Sequence, residues 1–173
     1  AAAGDHLSVA SRRTRRTLVR RLTGSFVALL ALGAVLASAA MTCLWLIQVR
    51  THDASHVDVG WATGIAVLAV VYALLADGSV AHRVLAAVLA TIWGWRLGLY
   101  LLRDRVLGRE EDGRYRALRA KWGSRADRNF FLFFQLQALF VVFFSLPYLL
   151  ICLDPHPGLG LLEWTGAVVW AIG

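Results

Sequence analysis

The chain is short of the residues that build disulfide or metal scaffolds. Only two of its 173 residues are cysteines, Cys43 and Cys152, and both fall inside apolar runs. Their spacing matches no zinc site, and thiols in such runs are expected to behave as small buried hydrophobes. Acidic residues are also scarce: 11 Asp and Glu against 18 Lys and Arg leave a net charge of +7. The alternating apolar–polar pattern of a membrane β-barrel is absent. Long polar stretches between apolar runs are missing too, with one exception, from about Arg103 to Asn129. There is no initiator methionine and the last apolar run stops at Gly173, so the chain is expected to be a piece of a longer protein.

What is present is hydrocarbon. Hydrophobic residues make up 58% of the chain, above the roughly half that is usual in soluble domains, and they are clustered. A helix needs about 20 apolar residues to cross a bilayer core about 30 Å thick. Four runs qualify, at about 24–49, 57–76, 84–102 and 130–153, and a fifth over 159–173 is cut short. The expected fold is all-α: a polytopic transmembrane helix bundle of four full spans plus a truncated fifth. Helices satisfy their own backbone hydrogen bonds, which is why they tolerate lipid.

The excess of positive charge would suggest nucleic acid in a soluble protein. Here it sits outside the spans, where basic flanks suit a membrane protein, so the bilayer is the expected partner and nucleic acid is not. Residues 1–23 form a basic polar tail that includes Arg12, Arg13, Arg15 and Arg16. Such a tail resembles a secretory or twin-arginine signal, but the apolar run after it is too long for a signal core. It reads as a membrane helix with a basic flank. Both the tail and the Arg103–Asn129 segment favour the cytoplasmic side, yet three intervening spans put them on opposite sides. The embedded segment is the better guide, giving a multi-pass protein of a bacterial plasma membrane with that segment cytoplasmic.

Several motifs stand out. Gly60-x-x-x-Gly64 and Gly94-x-x-x-Gly98 are expected to let the second and third spans pack closely. Pro147 should kink the fourth span or end its regular part. His52, Asp53, His56 and Asp58 contain metal-ligand types, but nothing completes a site, and a polar interfacial loop is the better reading. Arg96 lies inside the third span beside Trp93 and Trp95. It either snorkels to the interface or faces an aqueous cavity, and the cavity is favoured. Glu110, Glu111 and Asp112 could orient arginines, accept ribose hydroxyls or move protons. On spacing alone they read as a solvated helical stretch with i,i+4 pairs, Glu110–Arg114, Asp112–Arg116 and Tyr115–Arg119, at about 0.3–0.5 kcal/mol each.

In order along the chain stand Trp45-x-x-Gln48-x-Arg50, Ala54-Ser55-x-Val57-Asp58-Val59-x-Trp61, Trp93-Gly94-x-Arg96-Leu97, Gly108-Arg109-Glu110-Glu111-Asp112-x-Arg114-Tyr115, Phe133-x-Gln135-x-Gln137-Ala138 and Leu146-Pro147. This set resembles the DUF1295 family of membrane proteins, related to the steroid 5-alpha-reductase superfamily, from about Trp45 to the end. The resemblance implies NADPH-dependent reduction of a carbon–carbon double bond conjugated to a carbonyl, in a lipid-like small molecule. It implies Asp58 and Tyr115 as catalytic residues, and a tyrosine and a carboxylate from the earlier spans, not matched to particular positions here, as the pair that polarises the carbonyl. It also implies Arg96, Glu111, Asp112 and Arg114 as cofactor-binding residues, with no metal. Two departures qualify it: His56 replaces an aliphatic residue, and Trp93 and Trp95 occupy the third-span site, with no tyrosine until Tyr100. The superfamily's C-terminal arginine-histidine-proline-asparagine-tyrosine stretch is not reached, so this piece is expected to be inactive by itself. The alternatives are a non-enzymatic bundle with a cytoplasmic docking loop and an isoprenylcysteine-type membrane methyltransferase.

Overall fold

In the computed structural model the backbone of residues 2–173 and the side chains of residues 23–173 are described. The basic tail expected over 1–23 therefore lies, apart from Thr23, outside the residues whose side chains are described. The elements are helices throughout: α1 (Ala2–Thr51), α2 (His56–Leu75), α3 (Val80–Arg105), α4 (Gly113–Trp122), a 3-10 turn over Gly123–Arg125, α5 (Ala126–Cys152) and α6 (Leu161–Ile172). No strand occurs among the described residues. Four helical stretches, in α1, α2, α3 and α5, are long and apolar enough to cross a bilayer, and α6 is apolar but shorter. The chain is thus an integral multi-pass membrane protein.

The helices run alternately up and down. Hydrogen bonds join Ser38 to Gln135 and, further along, Trp45 to Asp127, so α1 and α5 are antiparallel. Gly33 meets Tyr72 while Gly60 meets Leu44, which makes α1 and α2 antiparallel as well. One end of the bundle thus gathers the end of α1, the start of α2, the end of α3, all of α4 and the start of α5. We call it the charged end. Thr23, the first residue of α1 whose side chain is described, lies at the other end.

The core mixes small, aliphatic and aromatic residues. Met41, Val57, Ala62, Ile65, Leu68, Tyr72, Phe130, Phe134, Val141 and Leu149 are all buried. Inside lipid, polar side chains must find partners across helices. Gln135 does so twice, accepting from the Ser38 hydroxyl at 2.7 Å and donating to Thr42 at 3.1 Å. Tyr72 and Ser145 pair at 3.3 Å between α2 and α5.

The glycine motifs work differently from expectation. Gly94 and Gly98 do seat α3 on α2: a Cβ on Gly94 would lie 2.6 Å from the Ala66 methyl and 2.9 Å from the Ala62 carbonyl, and one on Gly98 would lie 2.6 Å from Thr63. Gly60 and Gly64, however, turn away from α3, towards Leu44 of α1 and Val141 of α5. The surface that receives α3 is Ala62, Thr63 and Ala66. Pro147 does not end its helix, since α5 continues to Cys152. Cys152 is buried as expected, whereas Cys43 is exposed on the outside of α1, and both thiols are free.

Filling the α2–α3 contact should therefore be costly. Gly94→Val is expected to lower stability by about 1–3 kcal/mol through overpacking against backbone. Gly24→Ala, where nothing lies within 4 Å of the added carbon, should be neutral or slightly stabilising. Thermal melts of the two variants in one detergent, followed by circular dichroism, check the contrast. Equal melting temperatures would refute the close α2–α3 approach.

Candidate functional site

The charged end is organised around Asp58, in the first turn of α2. Its Oδ1 accepts a hydrogen bond from the Tyr115 hydroxyl at 2.7 Å. Its Oδ2 accepts from Arg105 at 2.6 Å and from Arg114 at 2.8 Å. One carboxylate thus ties the start of α2 to the end of α3 and to α4. Tyr115 is buried, with its ring edge-on to Phe130 and Phe133 of α5 and the Arg114 guanidinium 5.2 Å from the ring centre. Burial and the bond to Asp58 push the Tyr115 hydroxyl well above the ordinary phenol range. It keeps its proton at neutral pH and donates it to Asp58.

Asp112 starts α4. Its side chain accepts from the Arg114 backbone N–H at 2.9 Å, an N-cap, and also from the Arg114 side chain at 3.0 Å. Aspartate suits this position because its oxygen satisfies a free N–H of the first helical turn. The bonds from Arg114 hold the Asp112 carboxyl below its usual range, and Asp112 holds the Arg114 guanidinium above its own. The Asp112 N–H in turn donates to the Ser55 hydroxyl at 2.9 Å, which pins the α3–α4 loop to the α1–α2 loop.

Glu111 anchors a second cluster. Its Oε1 accepts from the Ala54 backbone N–H at 3.0 Å and from Arg119 at 2.8 Å. Arg119 also donates to Gln48 of α1 at 2.8 Å, and its guanidinium lies 4.7 Å from the centre of the Phe130 ring. Gln48, fully buried, passes the chain of bonds to Asp127 at 3.2 Å, whose backbone carbonyl accepts from the Trp45 indole at 2.8 Å. Every span except α6 is thereby joined to the α3–α4 loop.

The Glu110–Arg114 and Asp112–Arg116 pairs read from spacing do not form, because α4 begins only at Gly113 and residues 110–112 precede it without helical structure; within α4, Tyr115 bonds Asp58 and Arg119 bonds Glu111 rather than each other. Glu110 pairs instead with Arg116 at 3.0 Å, Glu111 with Arg119, and Asp112 with Arg114. Of the candidate site residues, Asp58, Asp112, Arg114 and Tyr115 come together, and Glu111 sits in the neighbouring cluster. Arg96 lies elsewhere, on an exposed face of α3. Sequence reasoning assigned no site role to Ser55, Arg105, Arg119 or Asp127. Gln48 and Ser55 did fall within the ordered motifs, which was a usable signal; Arg105, Arg119 and Asp127 had none beyond lying in the polar segment. Among the described residues no group of His, Cys, Asp and Glu side chains is placed to hold a metal ion. Asp58 is taken up by arginines, and His56 turns its Nδ1 towards the Asp53 carbonyl.

Two openings adjoin the cluster. One, of about 570 Å³, is lined by Asp104, Arg105, Arg109, Glu110, Glu111, Asp112, Gly113 and Arg116. The next, of about 480 Å³, is lined by Arg96, Leu99, Tyr100, Arg103, Asp104 and Arg109. They share Asp104 and Arg109. A family model described as "Protein of unknown function (DUF1295)" matches residues 44–173. No curated protein and no solved structure matches the chain.

The Asp112 carboxylate gives an acid-stability signature. Its native pKa lies below the ordinary 3.8. Its contribution is therefore complete above that value and is lost as the pH falls through the lowered native one. Asp112→Asn keeps the cap but removes the charge. It should lower stability at neutral pH and flatten the fall in stability on acidification, measured by chemical unfolding in detergent between neutral pH and pH about 3. An unchanged acid limb would show that the Arg114 pairing is not formed in solution.

Proposed function

The chain belongs to the DUF1295 family, and we propose that it forms the core of a membrane reductase that uses NADPH to reduce a carbon–carbon double bond conjugated to a carbonyl in a lipid-like substrate. The observation that carries this reading is the opening of about 570 Å³ at the charged end, walled by both arginines and carboxylates and continuous with a more apolar one along α3. That donor set fits a dinucleotide. Arginine guanidinium groups suit phosphates, including the 2′-phosphate of NADPH, and carboxylates accept ribose hydroxyls. Arg109 is the best placed phosphate ligand, since it borders both openings and no described side chain pairs with its guanidinium. Glu110, Glu111 and Asp112 line the same wall. The cofactor, when bound, supplies the hydride.

The rest falls to the chain's own side chains. Conjugate reduction needs a proton donor near the carbonyl oxygen and exclusion of water. Tyr115 holds its proton at neutral pH, and Asp58 orients it. A substrate carbonyl reaching Tyr115 competes with Asp58 for that hydrogen bond. Asp58 then keeps its two arginine partners, so the site does not collapse while the hydroxyl turns.

A second reading has one specific observation in its favour. Asp58, Asp112, Arg114 and Tyr115 satisfy one another, and Glu111 is satisfied by Arg119 and the Ala54 N–H, as the clasp of a non-enzymatic bundle would be. Arg109→Gln separates the two readings without disturbing the clasp. In the natural protein at full length, in membranes, NADPH should bind and be oxidised in the presence of a long-chain enone. Arg109→Gln should weaken NADPH binding about ten-fold, or about 1.4 kcal/mol. Absence of NADPH binding in the unsubstituted protein would exclude the reductase and leave the clasp.

A further inference from the structure

Helix α3 carries a second, separable feature. Residues His82, Leu85, Leu89, Ile92, Arg96, Leu99 and Arg103 recur at alternating intervals of three and four, so they share one face of the helix. That face is exposed at Ile92, Arg96, Leu99 and Arg103, half-buried at Leu85 and Leu89, and buried at His82, which meets Glu163 of α6. It lines three cavities in series: about 400 Å³ between α3, the end of α5 and α6, bordered by His82, Leu85, Leu89, Gly166 and Trp170; about 380 Å³ bordered by Ile92, Trp93, Arg96 and Trp170; and about 480 Å³ reaching Arg103 and Arg109. Trp170 joins the first two and Arg96 the last two. Together they make one groove, with α6 standing off α3 as its outer wall over much of the length.

The groove has unlike ends. Its middle is apolar: Leu85, Leu89, Ile92, Trp93 and Trp170. At the charged end stand Arg96 and Arg103, exposed, with no hydrogen-bond or ion-pair partner for either guanidinium among the described residues. Asp104 borders the same opening and forms no ion pair with either. Elsewhere at this end Arg105, Arg114, Arg116 and Arg119 are all paired. Arg96 lies roughly 14 Å in from the end of α3 at Arg105, at 1.5 Å per residue. An arginine at that depth is costly facing lipid and faces a counter-charge or an aqueous cavity instead. From Arg96 to His82 the apolar part runs roughly 21 Å by the same rise, longer than one leaflet's share of the hydrocarbon core, about 15 Å.

We propose that this groove binds an acidic amphiphile, a single long hydrocarbon chain ending in a phosphate-type headgroup, with the headgroup on Arg96 and Arg103 and the chain along α3 under α6. Charge complementarity fixes the direction of the ligand, and the apolar length fixes its class. The binding goes beyond the reductase reading and does not depend on it, because it needs neither NADPH nor turnover.

The test uses the full chain in nanodiscs of zwitterionic phosphatidylcholine, titrated with hexadecyl phosphate, hexadecanol or inorganic phosphate, with bound adducts counted by native mass spectrometry. Hexadecyl phosphate should bind, while hexadecanol and inorganic phosphate should not. Arg96→Gln should weaken binding about ten-fold, and circular dichroism should show it folded, since Arg96 holds nothing in place. Gly166→Phe, at a position that borders the groove and where nothing lies within 4 Å of an added Cβ, should weaken it without altering charge. Arg128→Gln, an exposed arginine at the same end but away from the groove, should have no effect. The proposal is overturned if hexadecanol binds as tightly or if inorganic phosphate displaces the ligand. It is equally overturned if Arg128→Gln weakens binding as much as Arg96→Gln, or if Gly166→Phe has no effect. NADPH oxidation by the full-length protein is read separately, so either idea can fail alone.

Discussion

A carboxylate at the membrane boundary cannot be left alone, and the arrangement of the charged end follows from that constraint on Asp58. In a medium less polar than water, an unpaired charge is far more expensive than in solution, and several donors are needed to offset its desolvation. The donors come from two places distant in sequence. Arg105 closes α3, and Arg114 with Tyr115 opens α4. To deliver them, α3 must extend several residues past its apolar stretch, and α4 must lie across the end of the bundle. The Tyr115 ring then has nowhere to go but against Phe130 and Phe133, which sets where α5 begins. The Glu111–Arg119–Gln48–Asp127 chain does the same on the other side, tying α1 to the start of α5. Polar networks of this kind resist change because each bond presumes the others.

The fold was legible where physics acts on one helix at a time. Apolar length located the spans, because nothing but a helix of about 20 residues fits the hydrocarbon. Packing between helices was half legible. Gly94 and Gly98 announced a close approach, but Gly60 and Gly64 did not receive it, since which face of a helix meets which neighbour depends on rotations that no single motif encodes. The charged segment was the least legible. Treated as a helix it pairs Glu110 with Arg114; in the structure the helix starts after Asp112, and each acid finds an arginine further along. A capping aspartate followed by glycine was a sign of that later start. The ordered motifs brought Asp58, Asp112, Arg114 and Tyr115 into one set, and they do meet in space. Arg105 escaped notice, and Arg119 was matched to Tyr115 instead of Glu111, because an arginine among nine basic residues carries no mark of its partner.

The arginines of this end divide by what they face, and that division links structure to function. Those turned towards the loops are neutralised by Asp58, Glu110, Glu111 and Asp112, and they hold the shape. Those turned along α3 pair with no acid among the described residues. The clasp has used its own carboxylates, and Asp104, which borders the same opening as Arg96 and Arg103, forms no ion pair among the described residues. A self-satisfied cluster beside a row of unpaired cations is the arrangement that the proposed anionic headgroup would use, because the acids nearby are already engaged. The same reasoning explains why substitutions within the clasp are poor probes of binding. Removing Asp58 or Asp112 would take one of two carboxylates from both Arg105 and Arg114 and change the shape of the wall at once. Arg96, Arg103 and Arg109 hold nothing else together, so a change in ligand affinity at those positions reports on the ligand alone.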